Sequence, residues 1–173
     1  MDEVETLLAQ SAVWHRLYRA VYFIKEAKSN EPIVPIEWCF EIAAESLWSA
    51  VEIFNKRVAT KADDRLGGSR SPTPWFQQNG PLVHRVRNGV VHHSKATLQL
   101  GGTLIEGKRQ DFLWIDSEKV SLSDIAPVLQ KVADEVGLHI IRTTGSGRLP
   151  LYGEGDLAWF ETLTKTARDE SAR

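Results

Sequence analysis

The sequence predicts a mainly α-helical fold: an antiparallel helical bundle of four to five helices with a small β-hairpin inserted after the third. Three observations carry this. Two long segments near the start repeat apolar residues at about 3.5-residue spacing, the pattern of helices that pack side by side. A shorter amphipathic segment follows a stretch rich in Gly, Ser and Pro. After residue 102 the apolar runs shorten and gather around Gly107, as the strands of a hairpin do. With 173 residues, 42% hydrophobic and 25% charged, the chain has the composition of one globular domain that buries a core without disulfides or a structural metal. Residues 1–173 therefore read as a single domain. Three core helices occupy 4–100, a β-hairpin 101–118, a fourth helix 119–137 and a C-terminal extension 138–173.

The first helix is expected from residue 4 to about residue 28, with Leu7, Trp14, Leu17, Val21 and Ile24 on one stripe. Asn30 and Pro32 break it. Pro35 suits the first turn of the next helix, where its missing N–H is no loss. That helix aligns Ile36, Phe40, Ala43, Leu47, Ala50, Phe54 and Val58, with Glu37, Glu41, Glu45 and Glu52 on its other faces. Cys39 reads as a small core hydrophobe. Residues 60–81 read as a loop carrying Arg65, Arg70, Trp75 and Phe76. Cations beside aromatics suit a nucleic acid; a linker with one anchoring aromatic is the plainer reading.

The third helix is expected from Pro81 to Thr97 or a little beyond, with Gly101-Gly102 stopping it. Residues 103–105 and 111–115 make the hairpin. Ser121 or Ser123 caps a fourth helix bearing Leu122, Ile125, Leu129, Val132 and Val136, which ends before Gly137. Residues 138–141 read as a short strand and 143–150 as a loop. Asp156 caps a last helix with Leu157, Trp159, Phe160 and Leu163.

The net charge of −2 excludes a generic polyanion binder, but its distribution is uneven. Residues 1–60 carry 6 Lys/Arg against 9 Asp/Glu, residues 61–100 carry 6 against 2, and the remainder 9 against 12. The basic middle holds His84, His92 and His93, so a phosphate-bearing partner is expected there. One cysteine excludes an intrachain disulfide framework and a Cys-based zinc cluster. The acidic start and the lack of a membrane-length apolar run point to a cytoplasmic protein with no membrane partner.

Projected at about 100° per residue with His84 at zero, the third helix puts Leu82, Val86, Val90, Thr97 and Leu100 on one apolar face. Arg87, Val91, His84, Lys95, Asn88 and His92 share the opposite side, between about −60° and +80°. His93 falls in the apolar stripe and reads as a core histidine. Arginine offers a permanent charge and a planar fork for phosphate oxygens. Histidine takes and gives a proton near neutrality. Asn88 lies four residues before His92, where its amide can orient the imidazole. Arg87 lies about 140° round the helix from His92, so the pair does not close on one small ligand within a chain. A second copy across a two-fold axis brings both sets into one cleft. His92 has no second imidazole four residues away and no nearby carboxylate, so no metal site is read here.

Arg87-Asn88-Gly89-Val90-Val91-His92 resembles the R-x4–6-H motif of the HEPN superfamily, and the order of elements is similar over residues 4–136. The resemblance implies a small helical bundle with the motif on a helix after two long ones. It implies a metal-independent endoribonuclease without a cofactor, acting as a homodimer on RNA, with Arg87 and His92 as the catalytic pair and Asn88 in the motif's polar position. His84, Lys95, Arg65 and Arg70 are then the RNA- and phosphate-binding candidates. Gly89 is read as a close helix–helix approach at the dimer contact. Members paired with nucleotidyltransferase antitoxins often have Tyr two residues after the motif His; Ser94 stands there. A toxin or a defence effector is the implied role, with an antitoxin or regulatory protein as a possible partner. Two alternatives stay open: a non-catalytic HEPN-like dimer that binds nucleotide, RNA or a protein, and a purely structural bundle.

Overall fold

Helices α1 (Glu3–Glu26) and α2 (Ile36–Ile53) form a helical hairpin that sets the frame of the molecule. The computed structural model describes residues 3–68, 70–92, 98–115, 118–145 and 157–172. These contain six α-helices and a three-stranded antiparallel sheet, so the fold is mainly helical. Among the described residues no helix is long and apolar enough to cross a membrane.

The α1 stripe buries Val13, Trp14, Leu17, Val21 and Ile24, but Leu7 at its head stays 56% exposed. Periodicity continues to the start of the helix; packing does not. Small residues of α2, Cys39, Ala43, Ala44 and Ala50, are fully buried. Pro35 sits in the cap position just outside α2, where its carbonyl accepts from the Cys39 N–H at 3.1 Å. Helix α2 runs on into one wider π-helical turn, Phe54–Val58. Its buried Asn55 accepts from the Leu66 N–H and donates to the Leu66 carbonyl, both at 2.9 Å.

That amide corrects the reading of 60–81 as an open loop. Leu66 is buried, His139 donates to the Asp64 carbonyl at 2.7 Å, and a short helix α3 (Thr73–Asn79) follows. Phe76 is its fully buried anchor. Helix α4 (Pro81–His92) then packs on α2.

Strands β1 (Leu98–Ile105), β2 (Lys108–Ile115) and β3 (Glu118–Ser121) lie in the order β1-β2-β3. Leu100, expected on the third helix, belongs to β1, and Gly101-Gly102 lie inside that strand rather than ending a helix. Gly101 pairs with Phe112, and a Cβ on it would come within 2.5 Å of the Phe112 ring. The glycine makes room for an aromatic. Leu113 and Ile115, two apart and so on one face, are fully buried; the sheet lies against α5 and α2.

Helix α5 (Leu122–Thr144) overturns several expectations: it begins only at Leu122 because 119–121 belong to β3, it passes through Gly137, and it takes in both the strand expected over 138–141 and Thr143 and Thr144 of the expected loop. A four-residue run with three apolar members has no period of its own, and here Ile140 and Ile141 continue the helical stripe of Ala133 and Val136. A Cβ on Gly137 would meet Leu163 at 2.6 Å, so this glycine too serves close packing. The helix ends at Gly145, whose left-handed φ of 62° lets its N–H return to the Ile141 carbonyl. Ser121 occupies the N-cap position without a side-chain cap bond; its hydroxyl meets Ser123 instead, at 2.9 Å.

Helix α6 (Leu157–Ser171) buries Phe160, Leu163 and Ala167 in the common core. Trp14 meets Phe160 edge-on at 5.0 Å, and Trp159 donates to Asp134 of α5 at 2.7 Å. Residues 138–173 therefore supply the end of one core helix and the whole of another. The Asp156 cap lies outside the described residues.

Candidate functional site

The site forms where α4 docks on α2. Among the described side chains of α4, Val83, Val86 and Gly89 are buried and Leu82 packs partly buried against the core, while the side chain of Val90, expected on the same apolar face, lies outside what the structure describes. Gly89 is buried within the chain.

The polar side of α4 is not bare. It runs along the edge of α2 that carries Glu45 and Trp48, one turn apart. The Arg87 guanidinium carbon lies 4.6 Å from the centre of the Trp48 ring, and its Nε lies 3.7 Å from Glu45 Oε2. Phe76 stacks on Trp48 at 5.1 Å with the rings 10° from parallel. The His84 ring meets Trp48 at 5.9 Å, and Asn88 Nδ2 donates to His84 Nε2 at 3.1 Å. One buried indole thus organises an arginine, a histidine and, through it, an amide.

Magnitudes decide what holds the arginine. The Glu45 side chain is 48% exposed, and an exposed ion pair contributes about 0–1 kcal/mol. Arg87 is only 20% exposed, and a cation partly desolvated over an indole gains about 1–2 kcal/mol. Of these two contacts the indole is the stronger hold. One turn before Glu45, burial and then the neighbouring Glu37 carboxylate push the Glu41 carboxyl above the usual range. Among the described residues no group of three or more His, Cys, Asp or Glu is arranged to hold a metal ion.

The structure brings together Arg87, Asn88 and His84 from the residues singled out in the sequence. It pairs Asn88 with His84, four residues before it, rather than with His92, four after. His92 is the last residue of α4; its side chain is outside what the structure describes, and His93 and Lys95 lie outside the described residues. Arg65 does not join the cluster through its Nε, which donates at 3.1 Å to the Asn55 carbonyl, about two helical turns beyond Trp48. Arg70 is exposed on the segment before α3. Trp75 packs edge-on against Phe76 at 4.9 Å and Phe76 is buried, so this pair is no open platform for stacking bases.

Sequence reasoning missed three contributors. Arg85 ties α4 to the sheet, donating to Glu118 at 2.5 Å and to the Ile115 carbonyl at 2.7 Å. Glu45 and Trp48 gave one signal, an acid and an indole three apart on a helix; their use emerges only once α4 is docked beside them. No family model, no curated protein and no solved structure matches the chain.

Proposed function

We propose that the protein is a HEPN-like, metal-independent endoribonuclease that works as a homodimer. The observation that carries this reading is the seated Arg87. An always-charged guanidinium lies over Trp48 with Glu45 nearby, on a helix that follows two long helices, five residues before His92. In the proposed reaction the ribose 2′-hydroxyl attacks the adjacent phosphorus. His92 moves the proton, and Arg87 offsets the extra negative charge of the phosphorane, a contribution that grows towards the transition state. The products are a 2′,3′-cyclic phosphate and a 5′-hydroxyl. Because Arg87 and His92 occupy positions about 140° apart round one helix, the working pair in this reading comes from two subunits. A toxin or defence role, with an antitoxin or regulatory protein as partner, fits such an activity.

The test is RNA cleavage by the wild-type protein, Arg87→Ala and His92→Ala in excess EDTA. The wild type is expected to leave cyclic phosphate ends with chelator present, and both variants to lose cleavage. A wild type that needs added Mg²⁺ or Mn²⁺, or variants as active as it, would refute the reading. RNA bound but never cut would leave a binding dimer in its place.

A further inference from the structure

We propose that His84 is a second proton-transfer residue of this site, the acid that delivers a proton to the departing 5′-oxygen. The inference rests on the ribonuclease reading above and deepens it. In an in-line displacement at phosphorus the attacking and leaving oxygens stand on opposite sides. One imidazole cannot reach both at once, so a proton taken at O2′ and a proton given at O5′ call for two groups.

His84 lies three residues before Arg87, on the same face of α4, and the two share the Trp48 ring at 5.9 and 4.6 Å. His92 lies on a different bearing of the helix. Among the described side chains the imidazole that shares the Trp48 ring with the arginine is therefore His84. A phosphate held by Arg87 has His84 beside it, and in the proposed dimer the other proton-moving group is the partner subunit's His92. The base and the acid then belong to different subunits, which leaves each free to serve one end of the in-line path.

Asn88 completes the arrangement. Its amide holds Nε2 of His84 at 3.1 Å, which leaves Nδ1 as the nitrogen that exchanges a proton with substrate. A third group that orients the imidazole is the usual companion of an acid–base histidine. With the ring protonated, the amide turned end for end accepts from Nε2–H through Oδ1, so the same residue serves both charge states. Among the described residues the charged groups at this corner include Arg87 on α4 and Glu45 on α2, and α3 brings the uncharged Phe76. The step balances. The O2′–P bond forms and the P–O5′ bond breaks, the O2′ proton passes to the partner's His92, and the Nδ1 proton of His84 passes to O5′.

A leaving group that needs no proton tests this directly. The probes are DNA oligonucleotides with one ribonucleotide, one for each base, whose bridging 5′-atom is either oxygen or sulfur. His84→Ala is expected to cleave the oxygen substrate about 10²–10⁴-fold more slowly than wild type and the sulfur substrate within a few-fold of it. His92→Ala is expected to be slow on both. His84→Gln, which keeps a side chain that can bond Asn88, is read alongside in case the alanine variant melts early. Folded His84 variants that are equally slow on both substrates, or unimpaired on the oxygen one, overturn the proposal while the ribonuclease reading stands. A wild type that cuts neither probe nor bulk RNA overturns both.

Discussion

Two corners of this molecule are built on tryptophan and put it to different uses. Where α1, α5 and α6 meet, Trp14, Tyr18, Trp159 and Phe160 pack edge to face, and the Trp159 N–H is satisfied by Asp134. Where α2, α3 and α4 meet, Trp48 takes Phe76 in a stack and carries Arg87 and His84 as well. The first corner closes on itself. The second buries an indole in order to hold charged and titratable groups at a half-exposed edge. Aromatic packing alone therefore does not distinguish the two corners; what the ring holds does.

Substitutions at the two corners sharpen that contrast. Trp14→Ala removes a fully enclosed ring and is expected to cost about 3–5 kcal/mol of stability, read by denaturant or thermal unfolding, while the protein that remains folded cleaves RNA normally. Trp48→Phe keeps an aromatic against Phe76 but a poorer one for a cation; we expect about 1 kcal/mol of lost stability and about tenfold slower cleavage. Should Trp48→Phe lose stability and keep full turnover, the two corners are alike and the contrast fails.

The smallest effect is electrostatic. The Glu41 carboxyl is raised, mainly by burial and then by Glu37, so the folded state binds its proton more tightly than the unfolded state. Stability from this group is present at acid pH and lost as pH rises from the ordinary glutamate range through the raised value. Glu41→Gln is expected to melt above wild type at neutral pH, with the gap closing below the ordinary glutamate range. A gap independent of pH would contradict the assignment.

The helices were legible in the sequence because their apolar periods are long: Trp14 to Ile24 and Phe40 to Phe54 mark buried faces without ambiguity. The misreadings share a cause. Gly101 and Gly137 look like stops, yet each is small so that Phe112 or Leu163 can lie over it, a fact about a partner distant in sequence. The same limit applies to the site. Arg87 was legible from its spacing and chemistry. Its seat was not, because Glu45 and Trp48 precede it by about 40 residues and become its neighbours only through the docking of α4. Asn88 stands four residues from His84 and from His92 alike, so helix geometry leaves its partner undecided.

The central claim is that Arg87 and His92 act together from different subunits, and mixing inactive variants tests it most directly. Arg87→Ala and His92→Ala are each expected to be inactive alone. Unfolded and refolded together in equal amounts, half the dimers carry one intact site of two, so cleavage should return to about one quarter of the wild-type rate. No recovery from the mixture, with refolded wild type fully active, would place the pair within one chain and contradict the account.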